Sequence, residues 1–194
     1  MDQRALHAFF APRTVAVIGA SATPGKIGHS VMLNMLAAGY KGRLYPVNPK
    51  GGSIEGLTVL RGVSELPGGI DLAVIAVPRD KVLPVLQDMA AKGLKSAIVI
   101  TSGFREVGRE GYELERKMAE LANSHGIALL GPNSLGMMNT ALGVNASFSA
   151  TQPLPGDLAF CSQSGALCVA ILDWARGENI GFSKFVSLGN KAVL

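Results

Sequence analysis

Charge and aromatic rings are both scarce in these 194 residues, at 16% and 6%. A surface that tracks nucleic acid needs clustered cations interleaved with stacking rings, whereas the lysines and arginines here stand singly along the chain. No nucleic acid is expected, and the net charge of +4 suits a small polyanionic ligand. Cysteine is nearly absent. Cys161 and Cys168 have neither CxxC spacing nor a second pair to complete a zinc site, so no metal is expected and both read as reduced, partly buried thiols. No apolar run reaches the ~18 residues that cross a bilayer, and the N-terminus lacks a signal-peptide core. A cytoplasmic chain without membrane attachment is the expectation. Hydrophobic residues, by contrast, make up 48% of the sequence, enough for a core in one large or two small domains.

The chain is organised around residues 14–39. Thr14-Val-Ala-Val-Ile18 reads as a buried parallel strand, and the apolar periodicity of Val31, Leu33, Met35 and Leu36 as a helix ended by Gly39. Between them lies Gly19-Ala-Ser21-Ala-Thr-Pro-Gly25-Lys26-Ile27-Gly28. The first amides of a helix have no intrahelical partner and its dipole favours anions, so a phosphate suits this turn. Gly19 permits the tight turn, Gly25 lets a ligand approach the backbone, and Gly28 lets helix and strand pack closely. The spacing is not G-x-G-x-x-G: Ser21 takes the second glycine's place and the loop is longer, which favours a pyrophosphate over tight NAD binding.

A short amphipathic helix over residues 2–10, with Leu6, Phe9 and Phe10 inward, is expected before this unit. After it, residues 42–52 form a second strand and loop carrying Asn48 and Lys50, where an NAD site would carry a carboxylate for the ribose. Lys50 either faces a phosphorylated ribose, as in NADP or the 3′-phospho-adenosine of coenzyme A, or is a solvated loop lysine. A short strand is expected at 56–60, a turn at 63–66, a buried strand at 71–78 ending in Val77-Pro78, and a helix at 79–92. Another strand, 96–101, opens into Ser102-Gly103, a polar helix covers 111–125, and a strand at 127–131 delivers Asn133. This alternation implies a doubly wound, mostly parallel α/β sheet whose strand-end loops share one edge. No Asp, Glu or His residues converge there for acid–base work.

Residues 140–155, poor in charge and rich in Ala, Ser, Thr and Pro, read as an extended connection. A second strand–turn–helix unit then begins at Gly156, a buried strand feeding the loop Ser162-Gln163-Ser164-Gly165 that opens a helix running to Trp174. Its helix start is either a second phosphate site or an ordinary serine N-cap. A strand at 182–187 follows, and one such unit is too small to bury its own faces.

Taken together, residues 15–28, 45–51, 74–78, 100–104, 131–136, 160–167 and 185–191 resemble, in order, the N-terminal region of NDP-forming acyl-CoA synthetases. That family includes the ADP-forming acetate–CoA ligase α subunit and, more distantly, the succinyl-CoA synthetase α subunit. The resemblance implies a CoA-binding Rossmann-like domain over 1–140, a linker over 141–155, and the beginning of a succinyl-CoA-ligase-like flavodoxin-type domain over 156–194. It implies that Gly19, Ser21, Gly25, Lys26, Ile27 and Gly28 hold the CoA pyrophosphate, with Asn48 and Lys50 near the adenosine and its phosphate. Val77, Pro78, Ser102, Gly103 and Asn133 would line the adenine and pantetheine path. Ser162, Gln163, Ser164 and Gly165 would stand at the helix terminus that receives phosphate or a phosphohistidine.

The implied reaction takes acyl-CoA, ADP and phosphate to acid, CoA and ATP, through an acyl phosphate and a phosphorylated histidine. None of His7, His29 and His125 lies in that histidine's motif, and no ATP-grasp region is present. The expectation is therefore a chain that binds CoA or acyl-CoA but does not catalyse alone. ADP, ATP and Mg would enter only with an ATP-grasp subunit or domain, in a homo- or hetero-oligomer. Ser134 stands where the family often has cysteine. Two alternatives stay open: a regulatory CoA-binding module of a lysine acetyltransferase, and an NAD(P)-binding Rossmann domain.

Overall fold

The β-branched runs become the central strands of a sheet. The structure, a computed structural model, describes residues 3–193. In chain order its elements are α1 (Gln3–Phe10), β1 (Thr14–Ile18), α2 (Ile27–Ala37), β2 (Arg43–Val47), β3 (Ser53–Ile54), β4 (Leu57–Thr58), β5 (Leu72–Ile75) and α3 (Arg79–Ala91). There follow β6 (Ser96–Val99), α4 (Arg109–Ser124), β7 (Ala128–Leu130), β8 (Gly136–Asn139), β9 (Val144–Ser147), β10 (Leu154–Ser162), α5 (Gly165–Gly177) and β11 (Gly181–Ser187). No helix among the described residues is long and apolar enough to cross a membrane.

Five strands, in the order β2-β1-β5-β6-β7, pair in parallel throughout. The period of two along each strand divides their side chains between two cores. Ala16, Ile18, Ala73, Ile75, Ala97, Val99 and Leu129 point to one face, where Val82, Leu86 and Met89 of α3 and Met118 and Ala122 of α4 cover them. Val15, Val17, Leu72, Val74, Ile98 and Leu130 point to the other, under Phe9 of α1 and Val31, Met32 and Met35 of α2. With both faces covered, β5 and β6 are buried along their whole lengths, which is why they read as unbroken apolar runs.

A second sheet has the order β10-β11-β8-β9, with β10 and β11 parallel and the other pairs antiparallel. Leu172 and Cys168 of α5 pack on Met138, Phe182 and Phe185 of this sheet. Phe160 stacks on Phe185 with ring centroids 4.8 Å apart.

Several expectations need correction. Residues 140–155 are not a plain extended connection: they hold a 3-10 turn and β9, which is buried and folds back on β8. Their polar side chains hid the strand because they are satisfied internally. Asn34 of α2 donates to the carbonyls of Ser147 and Ser149 at 2.9 and 2.8 Å, and its Oδ1 accepts from Gln152 at 2.8 Å. Gln152 in turn accepts from Asn145, and Asn145 from the Ser147 hydroxyl. A buried polar network of this kind is tolerated only when its members are paired.

In α1, Leu6 is 39% exposed and Ala5, Ala8 and Phe9 face the core; Asp2 lies outside the described residues. The strand expected at 56–60 is a hairpin of β3 with β4. Finally, β10 is mostly exposed rather than buried: among the described residues it is an edge strand with β11 as its one ladder partner.

Candidate functional site

From β1 the chain crosses to β2 on one side, then returns to β5 on the other. Strand order therefore reverses beside β1, and open α/β sheets leave a crevice outside the strand ends at such a point. The crevice here is ≈ 890 Å³, bounded by the loops after β1, β2, β4 and β5.

Gly19 begins the first of these loops with φ +94, and a Cβ there would stand 2.3 Å from the Ala76 carbonyl. Both facts require glycine. The Gly19 and Ala20 amides donate to the Val47 carbonyl at 2.9 and 3.2 Å, which ties the loop to the end of β2. Ser21 Oγ accepts from the Thr23 amide at 3.0 Å and shapes the turn. Asn48 closes the two loops on each other: Nδ2 donates to the Ala20 carbonyl at 2.8 Å, while Oδ1 accepts from the Lys50 amide at 2.9 Å.

Helix α2 starts without a side-chain cap, its N-cap position being Lys26. The His29 and Ser30 amides turn back to the Lys26 carbonyl at 3.0 and 3.1 Å. The Ile27 and Gly28 amides have no acceptor among the described residues. Two donors at the positive end of a helix dipole thus open on the crevice. Helix α5 differs. Ser164 Oγ accepts from the Leu167 amide at 3.2 Å, and Ser162 Oγ from the Ser164 amide at 3.1 Å. Of the two readings left open for that helix start, the hydroxyl of Ser164 makes the N-cap bond.

Around the crevice stand the cations Lys26, Lys50, Arg61 and Lys81, with Asp88 as the one lining carboxylate. Lys81 lies 3.4 Å from Asp80, whereas Lys26, Lys50 and Arg61 take part in no ion pair among the described residues. Val47, Ile54, Val59, Val63, Val77 and Val85 supply an apolar floor. Cations at the rim, free amides at the base and an apolar wall suit an extended ligand with phosphate at one part and an aromatic or aliphatic group at another.

Of the residues singled out in the sequence, Gly19, Ser21, Gly25, Lys26, Ile27, Gly28, Asn48, Lys50, Val77 and Pro78 all line this space. Ser102, Gly103 and Asn133 do not. The loop bearing Ser102 and Gly103 lies against the one after β5, with Thr101 Oγ1 donating to the Val77 carbonyl at 2.6 Å and Arg79 to the Gly103 carbonyl at 3.2 Å. Asn133 turns towards the segment after β11 and donates to Asn190 Oδ1 at 3.3 Å. Arg61, Lys81 and Ser53 line the crevice without having been picked from the sequence. Arg61 and Ser53 arrive with the β3–β4 hairpin, which carries no phosphate motif. Lys81 sits in the first turn of α3, where only the order of the strands reveals that it faces the site.

Both cysteines are free, Cys161 exposed and Cys168 buried, and in each burial pushes the thiol up. Neither is an activated thiolate.

Two family models match the chain. The family model described as a CoA binding domain matches residues 13–140, and that of a succinyl-CoA ligase like flavodoxin domain matches residues 155–194. The chain is 48% identical over 191 residues to acetate–CoA ligase [ADP-forming] I subunit alpha of Pyrococcus furiosus, covering 96% of this chain and 41% of that protein. It is 44% identical to acetate–CoA ligase [ADP-forming] I of Archaeoglobus fulgidus, covering 97% of this chain and 27% of that protein. Among solved structures, the dinucleotide forming acetyl-coenzyme A synthetase 1 of Ca. Korarchaeum cryptofilum in complex with phosphate and ADP superimposes with a TM-score of 0.94 at 45% identity. That match covers 99% of this chain and 41% of the other. The chain thus spans well under half the length of these relatives. The acetyltransferase and NAD(P) alternatives gain no support from these matches. With the CoA-binding model laid over the whole five-stranded sheet and its crevice, the chain belongs to the CoA-binding domain family, joined to a segment of the succinyl-CoA ligase like flavodoxin domain.

Proposed function

We propose that the crevice at the end of β1 holds coenzyme A or an acyl-CoA, and that the chain is the CoA-binding portion of an NDP-forming acyl-CoA synthetase. The observation that carries this reading is the uncapped start of α2, with two partnerless amides facing a crevice rimmed by Lys26, Lys50 and Arg61. A diphosphate at that turn meets donors and a helix dipole at once, with no side chain to displace. Val77 and Pro78 flank the adenine, and the pantetheine arm runs along the sheet edge past Ser102, Gly103 and Asn133 towards the start of α5. In this arrangement residues 1–140 hold the ligand, 141–155 bring β9 back onto β8, and 156–194 begin the part that receives the acyl group.

Bound CoA supplies the thiol that carries the acyl group; the residues of this chain anchor its nucleotide end and aim its arm. Among the described residues Asp88 is the one carboxylate lining the crevice and no histidine lines it, so no acid–base pair converges there to move a proton. Turnover of acyl-CoA, ADP and phosphate to acid, CoA and ATP therefore calls for an ATP-grasp subunit or domain and a phosphohistidine outside this chain. Titration calorimetry with CoA, dephospho-CoA, NADH and NADPH tests the reading. CoA binds most tightly, and Lys50→Ala weakens CoA by about 3- to 10-fold while sparing dephospho-CoA, as loss of one exposed point charge predicts. Preference for NADPH over CoA overturns it.

A further inference from the structure

We infer that Arg61, more than Lys50, is the residue that selects a ligand phosphorylated on its ribose. The inference rests on the CoA reading above and names the side chain that would tell CoA from dephospho-CoA.

Arg61 follows the β3–β4 hairpin, and that hairpin returns the chain to the end of β2. The Leu60 amide donates to the Pro46 carbonyl and the Asn48 amide to the Leu60 carbonyl, each at 2.9 Å, so residue 61 is held beside the 48–51 turn. Its guanidinium then lies over Gly51: a Cβ on that glycine would stand 3.3 Å from Nε and 3.5 Å from Nη2 of Arg61. Gly51 also has φ +64, so the turn both needs glycine and leaves room for the arginine plane.

The charge of this guanidinium is uncommitted. Glu65, the carboxylate nearest in the chain, accepts instead from the backbone amide of Arg61 at 2.9 Å, and among the described residues Arg61 has no ion pair. In dinucleotide folds the end of the second strand is where the ribose lies, and an arginine nearby accommodates a ribose phosphate where a carboxylate would repel it. Here the loop after the second strand carries Asn48 and Lys50 with no carboxylate. Lysine brings a flexible point charge, whereas a guanidinium offers a planar fork that grips two phosphate oxygens together. The discriminating contact therefore falls to Arg61, with Lys50 adding field.

The test is calorimetric titration of CoA and dephospho-CoA into the wild-type chain, Arg61→Met and Arg61→Lys, with thermal melts to check folding. Because Arg61 is exposed, all three are expected to melt alike. Arg61→Met weakens CoA by about 10- to 100-fold, the value of a charge-assisted bidentate contact, and shifts dephospho-CoA by less than about threefold. Arg61→Lys falls between, since it keeps the charge and loses the fork. Equal losses for the two ligands, or a wild-type chain that binds them equally well, overturn the inference and leave the CoA reading standing. A wild-type chain that binds neither overturns both.

Discussion

Asp71 sits just before β5, and its carboxylate accepts from the Arg13 and Thr14 amides at 2.9 and 3.1 Å and from Lys95 Nζ at 2.6 Å. Burial pushes its carboxyl up, yet the Lys95 hydrogen bond, the Arg13 amide, the Lys95 charge and the Thr14 hydroxyl outweigh burial and hold it below the usual carboxylate range. A depressed folded-state pKa gives stability that is present above the unfolded value of about 3.9 and is lost as pH falls through the folded value. Asp71→Asn should therefore cost about 1–3 kcal/mol at pH 7 and should flatten the acid limb of a plot of urea midpoint against pH. Identical acid limbs for the two proteins would show that Asp71 is not the group being titrated. Single residues also mark where sequence reading stops. Lys50 was legible because a carboxylate is missing where one is customary. Arg61 was not, because its place depends on a hairpin whose strands are two residues long.

Elements are set by how closely their backbones approach, and α2 shows it best. A Cβ on Gly28 would stand 1.9 Å from the Gly19 carbonyl oxygen and 3.0 Å from Ala20 Cα, so the first turn of the helix rests directly on the loop it follows. Gly25 has φ +81 but open space around its Cα. Gly28→Ala should consequently lower stability by about 1–3 kcal/mol or more through overpacking, while Gly25→Ala should cost about 1–2 kcal/mol through backbone conformation alone. Denaturant melts of both variants decide the matter, and a Gly28→Ala protein as stable as wild type would mean that helix and loop part easily. The same scale explains which elements the sequence revealed. β1, β5 and β6 are short β-branched runs buried on two faces, and such runs have few other uses in a soluble fold. β9 was hidden because Asn145 and Ser147 are buried there and read as linker residues until their partners are seen. β10 was expected to be buried like the others, since position at a sheet edge is a property of topology rather than of composition.

The two larger sheets of the molecule are tied by their loops as well as by a shared core. Asn190, after β11, donates to Glu106 at 2.6 Å and to Glu115 at 2.8 Å, and it accepts from Asn133. Its own carbonyl receives Arg105, and its amide donates to the Pro132 carbonyl at 2.8 Å. Ser134 adds a second tie, donating to the Ser187 carbonyl at 2.6 Å and accepting from the Gly136 amide at 3.0 Å. The Ser134 hydroxyl thus serves as a buried strut. Asn190→Ala strips a donor from two carboxylates at once, one of them on buried Glu115. It should raise amide hydrogen exchange at residues 131, 133, 134 and 188–192 by about tenfold or more while leaving β1 and β5 slow. Uniform exchange across the chain would argue against a local tie. The stitching between α2 and β9 carries a further lesson for anyone shortening this protein. A piece cut after residue 140 would keep every residue of the crevice, yet it would strip Asn34 of both carbonyls it donates to and uncover the apolar side of the parallel sheet that Val144 and Ala146 now shield. The length of chain that lines the crevice and the length that keeps the sheet covered are different.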